Sequence, residues 1–414
     1  YEDMLKKKFI NYHNFEDYDD VIQKSEILIT SSPQAALESL ASGGKPVYVQ
    51  RDDYTKDFIE VFKNLNIPII TNYNKEELIE VKTGKFPTVF PWALPFPDAD
   101  PKEPNYGIKI AYNQDFTRHV IANANFEPKL IWIGDGGYER EILIKFYSYG
   151  NFPHADKVPN PENFARQTIF SIREPYDLQG TSIMTWQRNG NALDSNFAFV
   201  PAIRRVRRSS PASRSDAMFG SDMTTDDFAV FNGKMESMHW NYIETKEMLL
   251  PFLGKDPIPV HQQPDGGYLV QKSGWEGVKF GYEVEGWKGA GWCPVNWIWK
   301  KRKVHLIEMI PRDKYYNYGK SIMMVDADTD TFMAKENYDR AGASWKIIMS
   351  GMYLVKSPDG KFQMVDPQGG TVALDLKRNH ATVVNGVYPN YTSIYEADTD
   401  PNDFTMGGFM KFCK

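Results

Sequence analysis

The sequence predicts an α+β protein: a mainly antiparallel β-sheet with few short helices, preceded by a small α/β segment. Between residues 129 and 376 short apolar or alternating runs recur, each bounded by turn-forming residues, which is the pattern of strands and turns. Long helix-periodic stretches are missing from the same region, and that favours an antiparallel meander. The first 85 residues instead alternate apolar strand signals with helix signals, a rhythm that favours a parallel sheet.

From the amino end, SEILITSS reads as a strand, PQAALESLASGG as a helix closed by Gly43 and Gly44, and KPVYVQ as a second strand. DYTKDFIEVFKNLN is then a helix and IPIIT a third strand. This run resembles part of the nucleotide-binding half of GT-B glycosyltransferases, in which a strand leads to small hydroxyl residues at a helix start and a Glu follows on the helix. The resemblance places Ser31, Ser32 and Glu38 at those positions, where helix-start N–H groups can meet a phosphate. It covers less than one Rossmann-like domain, so the expectation is a structural α/β module over residues 1–85.

FPTVFPWALPFPDADPKEPNYG carries six prolines and reads as a linker wrapping over a surface. A second domain is expected over residues 86–414. Residues 129–133, a turn at 134–137 and residues 139–149 read as a hairpin. Further strands are expected at 167–172, 181–188, 268–272, 303–310, 320–325, 331–339, 343–355, 363–366 and 370–376. Helices are expected at 98–112, 224–232 and 403–412.

Residues 196–208 form one more strand candidate, whose apolar half runs straight into Arg204, Arg205, Val206, Arg207 and Arg208. Alternation in a single strand, unless a bulge near Pro201 changes the register, puts Arg205 and Arg207 on the face of Phe197, Phe199 and Ile203. Two guanidinium groups aimed at an apolar face need carboxylate partners. Asp216, Asp222, Asp226 and Asp227 are the nearest candidates, and the expectation is a structural ion-pair cluster of Arg-carboxylate forks.

The order VPAIRRVRR, RSDAMFGSDMTTDDF and FNGK resembles the signature region of the DUF1329 family, whose members look like periplasmic lipoprotein carriers of the LolA and LolB type. WALPFPDADPKEPNYGIKIAYN, PYDLQGTSIMTW and YYNYGKSIMMVDADTDTFMAKENYDRAGASWK match the family's further segments in order, so the resemblance covers residues 86–414. It implies a strongly curved antiparallel sheet, a LolA-like half-barrel, holding a hydrophobic ligand in a protein of the bacterial envelope. It implies no reaction.

Ten Trp, 25 Phe and 23 Tyr in 414 residues suit an aromatic-rich β architecture. Trp132, Trp186 and Trp345 are candidates for lining a ligand cavity, and packed core is the alternative for each. A net charge of −6 argues against general affinity for nucleic acid or for an anionic membrane surface, and the basic run is too short to reverse that. No apolar stretch approaches the roughly 20 residues that span a bilayer. The chain begins at Tyr1 without a signal peptide, so a targeting segment is processed away or not included. Cys293 and Cys413 allow one disulfide or two free thiols.

No G-x-S-x-G, H-E-x-x-H, P-loop or C-x-x-C occurs, and the seven His show no metal-ligand spacing. Asp326, Asp328 and Asp330 imitate a calcium loop, but Thr331 stands where Gly is required and Asn337 where Glu closes the loop, so a hairpin turn is expected. Glu396, Asp398, Asp400 and Asp403 read as a polar turn. No catalytic residue, metal or cofactor is assigned. The leading expectation is a non-enzymatic periplasmic carrier or chaperone for a lipid or other hydrophobic molecule, partnered by an envelope transporter or outer-membrane protein. The alternatives are a glycosyltransferase-related enzyme using the amino-terminal module and an assembly subunit binding another protein.

Overall fold

The computed structural model describes residues 27–50, 56–70, 96, 99–120, 123–150, 160–188, 192–209, 214–264, 266–270, 277–358, 360, 363–366, 369–385, 393–395 and 398–413. The chain divides into two compact units, one of residues 1–80 with 91–93 and one of residues 81–90 with 94–414. In the first, β1 (Ile27–Thr30), β2 (Lys45–Val49) and β3 (Ile69–Ile70) form a parallel sheet in that order, with α1 (Pro33–Ala41) and α2 (Phe58–Asn64) as the crossovers. Ser32 caps α1 by accepting the Ala35 N–H, and Pro33 follows at a position where no N–H is needed. Ala36, Tyr48, Phe62 and Ile67 form its small core.

The second unit opens with α3 (Tyr106–Val120). The strands that follow are β4 (Ala124–Phe126), β5 (Lys129–Gly134), β6 (Gly137–Gly150), β7 (Phe164–Glu174), β8 (Ser182–Arg188), β9 (Ser195–Val200), β10 (Arg205–Ser209), β11 (Met238–Leu253), β12 (Ile258–Gln262), β13 (Tyr268–Val270) and β14 (Trp297–Pro311). They continue with β15 (Lys320–Asp326), β16 (Thr331–Tyr338), β17 (Ser344–Ser350), β18 (Tyr353–Lys356), β19 (Gln363–Asp366), β20 (Thr371–Asp375), β21 (His380–Asn385) and β22 (Ser393–Tyr395), and α4 (Met406–Phe412) closes the chain.

Antiparallel pairing runs β10-β9-β8-β7-β6-β5-β21-β20-β17-β16-β15-β14-β11, a large curved sheet. A second branch leaves β6 through β4, β22, β13 and β12 to β18 and β19, with β12–β18 parallel. It returns toward β11 at the isolated bridge Phe252–Met352, so among the described residues no continuous ladder closes the sheet into a barrel. Register shifts within the β5–β6, β6–β7, β7–β8, β11–β14, β15–β16 and β16–β17 pairs are bulges, which bend strands and deepen twist.

The hairpin of β5 and β6 lies where the sequence places it, and most later strands begin within a few residues of expectation. Residues 343–355 divide into β17 and β18 where the partner strand changes from β20 to β19 and β12, and Gly351 at the break has no room for a side chain: a Cβ there would stand 2.6 Å from Trp297 Nε1. The first helix of this unit starts at Tyr106, later than expected, and residues 224–232 supply only the single 3-10 turn Thr225–Asp227. Most of the proline-rich run lies outside the described residues.

Candidate ligand-binding face

One face of the curved sheet, termed here the inner face, is covered by its own chain. Residues 214–237 cross it with almost no regular structure, held by polar ties that alternate with apolar contacts along the segment. Met218, Met223, Phe228 and Ala229 join a core cluster with Leu130, Trp132, Ile144, Phe146, Phe170 and Ile172. The Phe228 ring lies 5.3 Å from that of Phe146 and 5.1 Å from that of Phe170. Farther along, Val230, Phe231 and Met235 pack with Trp240, Ile307, Met323 and Phe332.

The covering segment is strained. Phe219, Ala229 and Val230 have φ of 52°, 48° and 70°, left-handed values that a side chain resists and that make a β-branched residue a true outlier. Such conformations persist only where surrounding contacts over-determine them, and the buried charges supply those contacts. Arg214 donates from Nε to Asp226 Oδ1 at 2.6 Å and from Nη2 to the Asn232 carbonyl at 2.8 Å, with Asp194 at 3.6 Å from Nη1. Burial opposes the Arg214 charge, but Asp226 and Asp194 more than offset this and raise its pKa. Tyr316 donates to Asp226 Oδ2 at 3.0 Å.

Asp227 accepts from Tyr318 Oη at 2.8 Å and from the Thr224 N–H at 2.8 Å, and pairs with Lys335 Nζ on β16 at 2.6 Å. Lys335 and Asp227 side chains are both 0% exposed. Burial, then the neighbouring aspartates, hold Tyr316 and Tyr318 well above the ordinary phenol pKa. Asp222 receives His380 Nδ1 at 2.6 Å and the Thr382 hydroxyl at 2.9 Å, while Lys346 donates to its carbonyl at 2.8 Å. Arg166 on β7 bonds Asn232. Polar and charged side chains from β7, β16, β17 and β21 thus stitch the cover to the sheet.

The arginines of the expected ion-pair cluster lie elsewhere. Strand pairing stops at Val200, a turn over Pro201–Ile203 follows, and Arg204 in the left-handed region (φ 48°) closes a hairpin into β10. Phe197 then faces Arg208 and Phe199 faces Val206 across the pair, while Arg205 and Arg207 sit opposite Val200 and Ala198 on the other face. Both are exposed. The single-strand reading fails because the hairpin resets alternation, and the aspartates take Arg214, Lys335 and His380 instead. Asp216 is exposed and, among the described residues, receives only Asn317, at 3.2 Å.

The tryptophans are dispersed among separate clusters. Trp132 Nε1 donates to the Gly220 carbonyl at 3.0 Å, Trp186 Nε1 to the Phe404 carbonyl at 2.8 Å, and Trp345 Nε1 to Asp375 at 3.2 Å. Trp132 belongs with the cover, Trp186 with α4 and Trp345 near Tyr318. Cys293 and Cys413 are free thiols, which corrects the disulfide alternative; burial pushes the Cys413 thiol up. Asp326, Asp328 and Asp330 lie at the β15–β16 turn, where Asp326 takes Arg302 Nε at 2.6 Å. Asp400 caps the turn Pro401–Phe404, and Glu396 lies outside the described residues. In the first unit the Ser32 hydroxyl is committed to its helix cap and Glu38 accepts from Gln34 at 2.8 Å. A separate open cleft of about 560 Å³ lies between Gly134–Gly137 and residues 281–292, beside Tyr282, Trp287 and Asn379.

A family model described as "Protein of unknown function (DUF1329)" matches residues 69–407. The chain belongs to the DUF1329 family. Among solved structures it is similar to a domain from Vibrio parahaemolyticus named for outer membrane lipoprotein sorting, at 16% identity and TM-score 0.49 over 73% of this chain and 97% of that one. A DUF1329 family protein from Desulfovibrio piger aligns at 15% identity and TM-score 0.48, over 73% and 97% of the two chains. A LolA superfamily protein from Nitrosomonas europaea aligns at 13% identity and TM-score 0.40, over 69% and 91%. No curated protein matches the chain. The run RSDAMFGSDMTTDDF, which carries the resemblance to the family, is residues 214–228, the first part of the covering segment. Sequence reasoning missed its partners Lys335, His380 and Lys346, which lie more than a hundred residues away and carry no local signal of the pairing: Lys335 opens the polar run Lys335-Glu336-Asn337, His380 follows Lys377-Arg378-Asn379, and Lys346 sits between Trp345 and Ile347.

Proposed function

We propose that this DUF1329 protein is a non-enzymatic periplasmic carrier, holding the apolar part of a lipid or similar hydrophobic molecule between the inner face of the sheet and residues 214–237. The observation that carries this reading is the cover itself: a strained segment resting Met218, Met223 and Phe228 on an aromatic-lined sheet. Methionine adapts its shape to irregular apolar partners, and stored strain lowers the cost of moving the segment aside. An acyl chain taking its place would gain about 0.8 kcal/mol per buried CH₂. Delivery to an envelope transporter or outer-membrane protein completes the proposed role.

A second reading is an assembly subunit that uses this surface for a protein partner, because in the structure the apolar face is already filled by the chain's own side chains. Organic extraction of the purified protein with mass spectrometry, followed by titration with a fluorescent fatty acid, separates the two. A stoichiometric hydrophobe and saturable binding support the carrier. A clean extract together with no saturable binding removes it.

A further inference from the structure

At one end of the sheet two turns come together. The β7–β8 turn and the β9–β10 turn share that end because Ser182 faces Phe199 and Arg205 faces Val200 across the pairs. They approach closely: a Cβ built on Gly180 would stand 3.5 Å from Pro201 Cγ. Both turns show apolar side chains to solvent, with Tyr176 90% exposed, Ile203 44% and Val200 40%. Arg204, Arg205 and Arg207 are exposed beside them, and none of the three has an ion-pair partner among the described residues. No described strand pairs with the outer edge of β10.

We propose that this end of the sheet docks on a bilayer carrying anionic lipid headgroups, with the arginines on the phosphates and Tyr176 and Ile203 in the interfacial layer. Guanidinium groups match phosphate oxygens in bidentate geometry. Exposed aromatic and aliphatic side chains next to a basic stripe are what an interfacial contact buries. Charges also guard open sheet edges, but a guard requires no apolar side chains beside it. An acidic peptide added along β10 would leave Tyr176 and Ile203 without a role. The net charge of −6 does not decide the matter, because exposed charges more than about 10 Å away are largely screened at 0.1 M salt. Glu174 and Asp177 are exposed in the β7–β8 turn and weaken the local field, so the apolar side chains must share the contact. The proposal is independent of the carrier reading and stands whether or not a ligand occupies the inner face.

Sedimentation of the full chain with vesicles tests it, comparing phosphatidylcholine alone with phosphatidylcholine mixed with phosphatidylglycerol. Binding is expected only to the anionic vesicles, falling with added salt and falling roughly fivefold for each of Arg204→Gln, Arg205→Gln and Arg207→Gln. Tyr176→Ser with Ile203→Ser should weaken binding with the arginines intact. All five side chains are exposed, and circular dichroism checks that the variants fold; the salt titration on unmodified protein gives a readout without them. Equal partition onto both vesicle types, or undiminished binding by the triple arginine variant, overturns the proposal. So does saturable binding of a polyglutamate peptide without vesicle binding, which assigns this edge to an acidic protein partner.

Discussion

Replacing Lys335 by Met removes the positive half of the Lys335–Asp227 pair while preserving most of the side-chain volume. Both groups are fully buried and 2.6 Å apart, so water cannot replace the lost partner. Asp227 would keep the Tyr318 hydroxyl and the Thr224 N–H, each at 2.8 Å, but no counter-charge. Breaking a buried pair from one side costs about 3–5 kcal/mol, and the two remaining donors place Lys335→Met near 3 kcal/mol. Adding Asp227→Asn removes the orphaned charge and should restore part of that loss. The assay is urea unfolding followed by tryptophan fluorescence, comparing midpoints at unchanged slope. A loss below about 1 kcal/mol, or a double variant no more stable than Lys335→Met alone, would refute the claim that this pair pins the cover.

Phe228→Ala, which removes the ring packed against the touching pair Phe146 and Phe170, should cost about 3–5 kcal/mol by the same unfolding measurement. Arg205→Gln and Arg207→Gln should change stability by no more than about 0.5 kcal/mol, since both side chains are exposed and have no ion-pair partner among the described residues; a loss of several kcal/mol would restore a buried role for them. Tyr316 and Tyr318 have folded-state pKa values above their unfolded ones, so their contribution is complete below about pH 10 and is lost as pH rises beyond it, at about 1.4 kcal/mol per pH unit for each. Tyrosinate absorbance appearing together with unfolding checks this, and early titration of these two rings in folded protein would contradict it. A thiol reagent should label Cys293 before buried Cys413, and reductant should leave stability unchanged.

Much of the sheet was legible because its strands declare themselves by local alternation and turn residues. The runs at 320–325 and 331–339 needed no tertiary information. β11 escaped notice because its middle, ETKEM, lacks period-2 alternation: residues 243–247 are exposed on both faces, and a bulge falls between Tyr242 and Glu244. The β9–β10 hairpin was hidden for a different reason. Its turn places Arg204 at φ 48° without a glycine to announce it, and one unrecognised turn reversed the assignment of every arginine that followed. The covering segment holds the run that carries the family resemblance, yet its role depends on Lys335, Lys346 and His380, whose meeting with Asp227 and Asp222 is set by strand order and not by spacing.

Uptake of a hydrophobic chain by the inner face under residues 214–237 is read out by photolabelling with a diazirine-bearing fatty acid, mapped by peptide mass spectrometry. Saturable labels are expected on Met218, Met223 or Phe228 and on the facing Phe146 and Phe170, displaced by unlabelled fatty acid and enhanced by Lys335→Met. Labels confined to other surfaces, or labelling that no competitor displaces, would contradict it.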